Sequence, residues 1–151
     1  MRLNHYRSAP GAIQAMVGLE NYLAKQLGDE LDKGLLELIK LRVSQLNGCA
    51  YCIDMHARLA REYGESEQRL HLLCAWHETA LFTAREKAAL AWAEANTRLI
   101  EGPVDDELYQ EVSRHFGDKA LVDLTLAVAA INAWNRFGVS FLPELGSPPG
   151  P

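Results

Sequence analysis

The sequence is poor in several things, and each shortage excludes a class of protein. Cysteine occurs three times in 151 residues. Three thiols cannot build a disulfide scaffold, and they are one short of the four that hold an iron–sulfur cluster. No run of about 18 apolar residues occurs, so no membrane span is expected. Positive charge is in the minority: 15 Lys and Arg stand against 20 Asp and Glu, a formal charge of −5. Nucleic acid and anionic membranes both call for a positive surface, so neither is an expected partner. The first residues, Met1 to Arg7, lack the apolar stretch of a signal peptide. The expected compartment is the cytoplasm, where cysteines stay reduced unless their chemistry is catalytic. No stretch alternates with period two, so no sheet is expected.

What is present is helical. The chain is 48% hydrophobic and 23% charged, ordinary values for a folded protein, and its length suits one core. Apolar residues recur at threes and fours over 10–27 (Ile13, Met16, Val17, Leu23) and over 30–46 (Leu35, Leu36, Ile39, Val43). Asn47-Gly48 supplies a stop, and a third helix follows over 50–63. Ser66 is placed to cap a fourth helix. Thr83-Ala84-Arg85-Glu86 has the capping-box pattern of a fifth, and Asp105-Asp106 opens a sixth. The last helix, over 119–137, is apolar nearly all round and must be covered on every side. The expectation is an all-α bundle of six or seven helices. It forms a single domain over 1–142, followed by a loose Pro/Gly-rich tail over 143–151.

The chemistry concentrates in Asn47-Gly48-Cys49-Ala50-Tyr51-Cys52-Ile53-Asp54-Met55-His56. On a helix, Cys49, Cys52 and His56 fall on one face. A helical i, i+3 pair has Cα atoms roughly 5–5.5 Å apart, inside the disulfide window. The two thiols can therefore close and open with little backbone movement. A helix start favours a thiolate at Cys49, whereas proximity to His56 favours one at Cys52. Four readings compete. A redox dithiol suits a Cys-x-x-Cys beside a helix start with a histidine nearby. A zinc site needs four ligands, and no second Cys/His pair has the spacing. Haem attachment needs histidine where Ile53 stands. Two cysteines packed as small hydrophobes is the plain alternative.

Glu37, eleven residues, then Cys49-x-x-Cys52-x-x-x-His56 resembles the core motif of the alkylhydroperoxidase D (AhpD)-like branch of the carboxymuconolactone decarboxylase superfamily. The segment Ala130 to Phe137 is also similar to one common in that branch. The resemblance implies an all-helical fold, a peroxide-reducing dithiol and assembly into trimers or hexamers, most simply a homohexamer. By the same resemblance Cys52 attacks a hydroperoxide and Cys49 resolves it as a Cys49–Cys52 disulfide. His56 and Glu37 relay protons, and an external dithiol of lipoyl or thioredoxin type restores the thiols. No metal, haem or flavin is implied. One departure from the motif is Tyr51, where well-characterised peroxidases of the family carry a second histidine. Rival readings are a lactone decarboxylase, which needs no dithiol, and a non-enzymatic redox sensor.

The remaining polar and aromatic residues read as ordinary structure. Cys74, in Leu72-Leu73-Cys74-Ala75-Trp76, is expected as a core thiol. His71 and His77 flank it without a metal-like pattern. His5 and His115 are expected as surface or capping residues. Trp76, Trp92 and Trp134 are expected in the core or at subunit contacts.

Overall fold

A computed structural model describes residues 1–146 of the chain. Residues 147–151, most of the expected tail, lie outside the described residues. Among the described residues there are eight α-helices, one 3-10 helix and no strand. In chain order they are α1 (His5–Ser8), α2 (Pro10–Lys25), α3 (Lys33–Asn47), α4 (Ala50–Glu62), α5 (Glu67–Leu72), the 3-10 helix (Leu73–Glu78), α6 (Ala84–Thr97), α7 (Asp106–Ser113) and α8 (Asp118–Phe141).

Local chemistry sets most of these boundaries. Asp32 caps α3 by accepting the Leu35 N–H at 2.9 Å, and Gly48 ends it in the left-handed region, at φ 66°. Ser66 and Asp105 cap α5 and α7 in the same way as Asp32. Thr83 and Glu86 close the expected capping box at the start of α6.

α3 is the central element. One face, with Leu36, Ile39 and Val43, joins the larger core formed with α2, α6, α7 and α8. The opposite face, with Leu38 and Leu41, packs against α4, α5, the 3-10 helix and Leu90 of α6. A helix buried on two faces can hold charge only where a partner is within reach. Lys40 pairs with Glu20 of α2 at 2.6 Å, and Arg42 pairs with Glu94 of α6 at 2.6 Å.

Three expectations change here. α8 runs four residues past the expected end at Phe137. The expected fourth helix breaks at Leu73 into a 3-10 segment with a kink at Ala75. Leu73 there is fully buried while Cys74 faces outward, so Cys74 is an exposed free thiol and not a core residue. Its Sγ reaches only the His71 carbonyl, at 3.6 Å.

Candidate active site

α3 and α4 meet at the turn Asn47-Gly48-Cys49, and a ladder of amides, buried at Asn135 and half-buried at Asn47 and Asn132, pins that turn to α8. Asn47 Nδ2 donates to Asn132 Oδ1 at 3.0 Å and to Asn135 Oδ1 at 2.9 Å. Asn135 Nδ2 donates in turn to Ser44 Oγ at 3.0 Å. The backbone N–H of Cys49 donates to the Ser44 carbonyl at 3.0 Å. Cys49 is thereby fixed as the N-cap of α4, with its Sγ accepting the Cys52 N–H at 3.3 Å.

The two sulfurs stand at disulfide distance, with Cα atoms 5.3 Å apart. Both cysteines are buried, and Tyr51 and Met55 pack around them. α8 closes over them at Gly138, where an added Cβ would lie 3.2 Å from Cys52 Sγ and closer still to Cys49 Sγ.

Cys52 faces a cavity of about 240 Å³; Cys49 is not part of its wall. His56 and Glu37 line the same cavity, with His56 Nδ1 2.7 Å from Glu37 Oε2. A carboxylate only accepts, so the imidazole donates from Nδ1, and in the neutral ring Nε2 is left with its lone pair. Both residues are buried. The structure thus brings Cys52, His56 and Glu37 to one cavity, with Cys49 directly behind Cys52.

Tyr51, the departure from the motif, also lines the cavity, and the rest of the wall was not read as part of a site in the sequence. Lys40 lies one helical turn beyond Glu37 on α3, and its Glu20 partner also accepts from Trp134 Nε1 at 3.1 Å. The i, i+3 relation to Glu37 was the available signal for Lys40. Val17, Met55, Leu59 and Phe137 make much of the wall apolar, and Pro143, at the start of the expected tail, completes one edge. His5 also lines the cavity. It is 4% exposed, which overturns its reading as a surface residue. No local pattern marks it, because its surroundings come from the far end of the chain.

An all-helical protein whose buried Cys-x-x-Cys faces a cavity beside a Glu–His pair belongs to the class of helical dithiol proteins. The carboxymuconolactone decarboxylase family model matches residues 10–95. An uncharacterized protein, YdfG, of Bacillus subtilis (strain 168) is 42% identical over 139 residues, covering 92% of each chain. A solved structure from Agrobacterium tumefaciens, whose suggested identity is an antioxidant defence protein, AhpD, superimposes with a TM-score of 0.91 at 38% identity. That match covers 97% of this chain and 99% of the other. Alkyl hydroperoxide reductase AhpD of Solibacter usitatus (strain Ellin6076) is 38% identical over 69 residues, 44% of this chain and 37% of that protein. The chain belongs to the carboxymuconolactone decarboxylase family, in its AhpD-like branch.

Proposed function

We propose that the protein is a thiol-dependent hydroperoxide reductase. The observation that carries this reading is the placing of Cys52 in a buried cavity, at disulfide distance from Cys49 and beside a hydrogen-bonded Glu37–His56 pair. His56 Nε2 takes the Cys52 proton, and Glu37 stabilises the resulting imidazolium. The thiolate attacks the terminal oxygen of ROOH. The O–O bond breaks, the alkoxide takes the proton from His56 and leaves as ROH, and Cys52 becomes a sulfenic acid. Cys49 then attacks Cys52, the S–S bond forms, and the hydroxyl leaves as water with the Cys49 proton. An external dithiol of lipoyl or thioredoxin type reduces the disulfide and is itself oxidised. Cys52 rather than Cys49 is assigned the attack because only Cys52 meets the cavity.

The acting unit in this reading is the domain over 1–142, assembled as a homohexamer. Among the described residues no helix is long and apolar enough to cross a membrane.

Peroxide consumption should require dihydrolipoamide or dithiothreitol and stop without either. Cys52→Ser should abolish it. Cys49→Ser should accumulate a sulfenic acid on Cys52 that a dimedone-type probe labels. Rapid turnover in Cys52→Ser, with the label on Cys49, would reverse the two roles. No peroxide consumption with any dithiol would defeat the reading.

A further inference from the structure

We propose that His5 is a ligand-binding residue of the cavity, and that the ligand is an apolar organic molecule carrying a hydroxyl group away from its reacting end. The proposal rests on the reductase reading for what reacts, but not for what binds.

Three observations lead to it. First, the N-terminal arm is built into the fold. The Arg2 N–H donates to the Phe141 carbonyl at 2.8 Å, on the last turn of α8. Asn4 caps α1 by accepting the Arg7 N–H at 3.1 Å. Second, the His5 ring is held by aromatic neighbours. It stacks on Phe141 with centroids 5.3 Å apart and lies 5.6 Å from Phe137 and 4.2 Å from Tyr6. Gly138, between those two phenylalanines in sequence, touches the cysteine pair. His5 and the sulfurs therefore flank the same stretch of α8, and both His5 and Cys52 face the cavity.

Third, the ring is polar, buried and unused. Nδ1 is occluded and has no hydrogen-bond partner. The nearby Leu3 carbonyl already accepts the His5 backbone N–H at 3.1 Å. Burial pushes the His5 pKa below its ordinary 6.5, against the smaller upward pull of the Leu3 carbonyl. The ring is thus neutral near pH 7 and presents one N–H and one lone pair. The cavity's other charged groups are already matched: Glu37 with His56, and Glu20 with Lys40 and Trp134.

A single ligand hydroxyl would give the ring a hydrogen-bond partner at Nε2. Donating to Nε2, it leaves the ring proton on the occluded Nδ1. An apolar wall selects by size alone, whereas a buried polar atom selects by position and rejects a ligand that leaves it unpaired. The aromatic residues around His5 suit a ring in the ligand body.

Titration calorimetry of the oxidised protein with cumyl alcohol and with para-hydroxycumyl alcohol tests this directly. The hydroxylated alcohol should bind at least about tenfold more tightly, the scale of one buried hydrogen bond gained or lost. It should also move the His5 ring nitrogens in a ¹⁵N spectrum of the wild-type protein. His5→Phe keeps the aromatic stack and should erase the preference. Equal binding of the two alcohols, binding of neither, an unmoved His5 ring, or a preference retained in His5→Phe would each overturn the proposal. The ring spectrum decides the matter even if the variant does not fold. Neither alcohol can be reduced, so the binding result and the peroxidase result fail separately.

Discussion

At the residue scale, the Glu37–His56 pair carries the sharpest expectation. If it moves protons for Cys52, His56→Ala and Glu37→Gln should each lower kcat/KM for a hydroperoxide by roughly 10²-fold, the usual scale of general acid–base loss. Unchanged rates in both variants would reduce the pair to packing. His5 gives a second expectation, with a sign fixed by linkage. Burial holds its folded pKa below the 6.5 of an ordinary histidine. Between those two values the unfolded chain binds the extra proton and the folded chain does not. Stability from the neutral ring is therefore full above about pH 6.5 and is lost as pH falls through the folded value. Thermal midpoints measured from about pH 7.5 down to 5.5 should drop further for the wild type than for His5→Phe. The two histidines also mark what a sequence makes legible at this scale. Cys49, Cys52 and His56 stand at helical spacings, so local periodicity brings them together, whereas Glu37 lies on the preceding helix and was reached through the resemblance to the family motif. His5 is 132 or more residues from the phenylalanines it touches, and only the folded chain makes its neighbourhood.

At the element scale, what was readable was period and punctuation. The helices over 10–27, 30–46 and 50–63, the Thr83 capping box and the Gly48 stop all appear, with ends displaced by a few residues. α1 has only four residues, too short to show a period. The far end of α8 was missed for an instructive reason. Gly138 looks like a terminator, yet its φ is not positive and the helix continues to Phe141. Its missing side chain serves a close approach instead: the sulfurs of Cys49 and Cys52 occupy the space of a Cβ. Gly18 of α2 is the natural control, because an added Cβ there meets nothing within 4 Å. Gly18→Ala should therefore stabilise by about 0.5–1 kcal/mol, the ordinary gain at an exposed helical glycine. Gly138→Ala should forfeit that gain and destabilise by about 1–3 kcal/mol, the range for overpacking. Urea unfolding of the two oxidised variants against the wild type checks the opposition. Two stabilised proteins would mean that α8 does not bear on the sulfurs.

At the scale of the whole molecule, α8 links the fold to the proposed assembly. Its 24 residues span about 36 Å, and one chain covers most of that length but not all of it. Val122 and Ala129, seven residues apart, lie on one face and are both exposed. Val139 near the end of the same helix is 43% exposed. A helix this apolar over 119–137 calls for cover on every side, from subunit packing or from a monomeric bundle, and the monomer leaves a strip uncovered. A second copy is the proposed cover, since a self-complementary strip on a long straight helix is what a two-fold interface needs. In the homohexameric reading, light scattering at micromolar concentration should give about six times the 16.8 kDa chain mass. Val122→Glu should then lower the particle mass while leaving the helical circular dichroism in place, because Val122 supports no contact inside the monomer core. A wild-type particle near one chain mass would end the assembly proposal. A dimer or trimer that Val122→Glu dissociates would keep the α8 interface and discard the hexamer. An oligomer indifferent to Val122→Glu would place the interface elsewhere, where Ile100, 98% exposed in the loop after α6, is the next apolar surface to test.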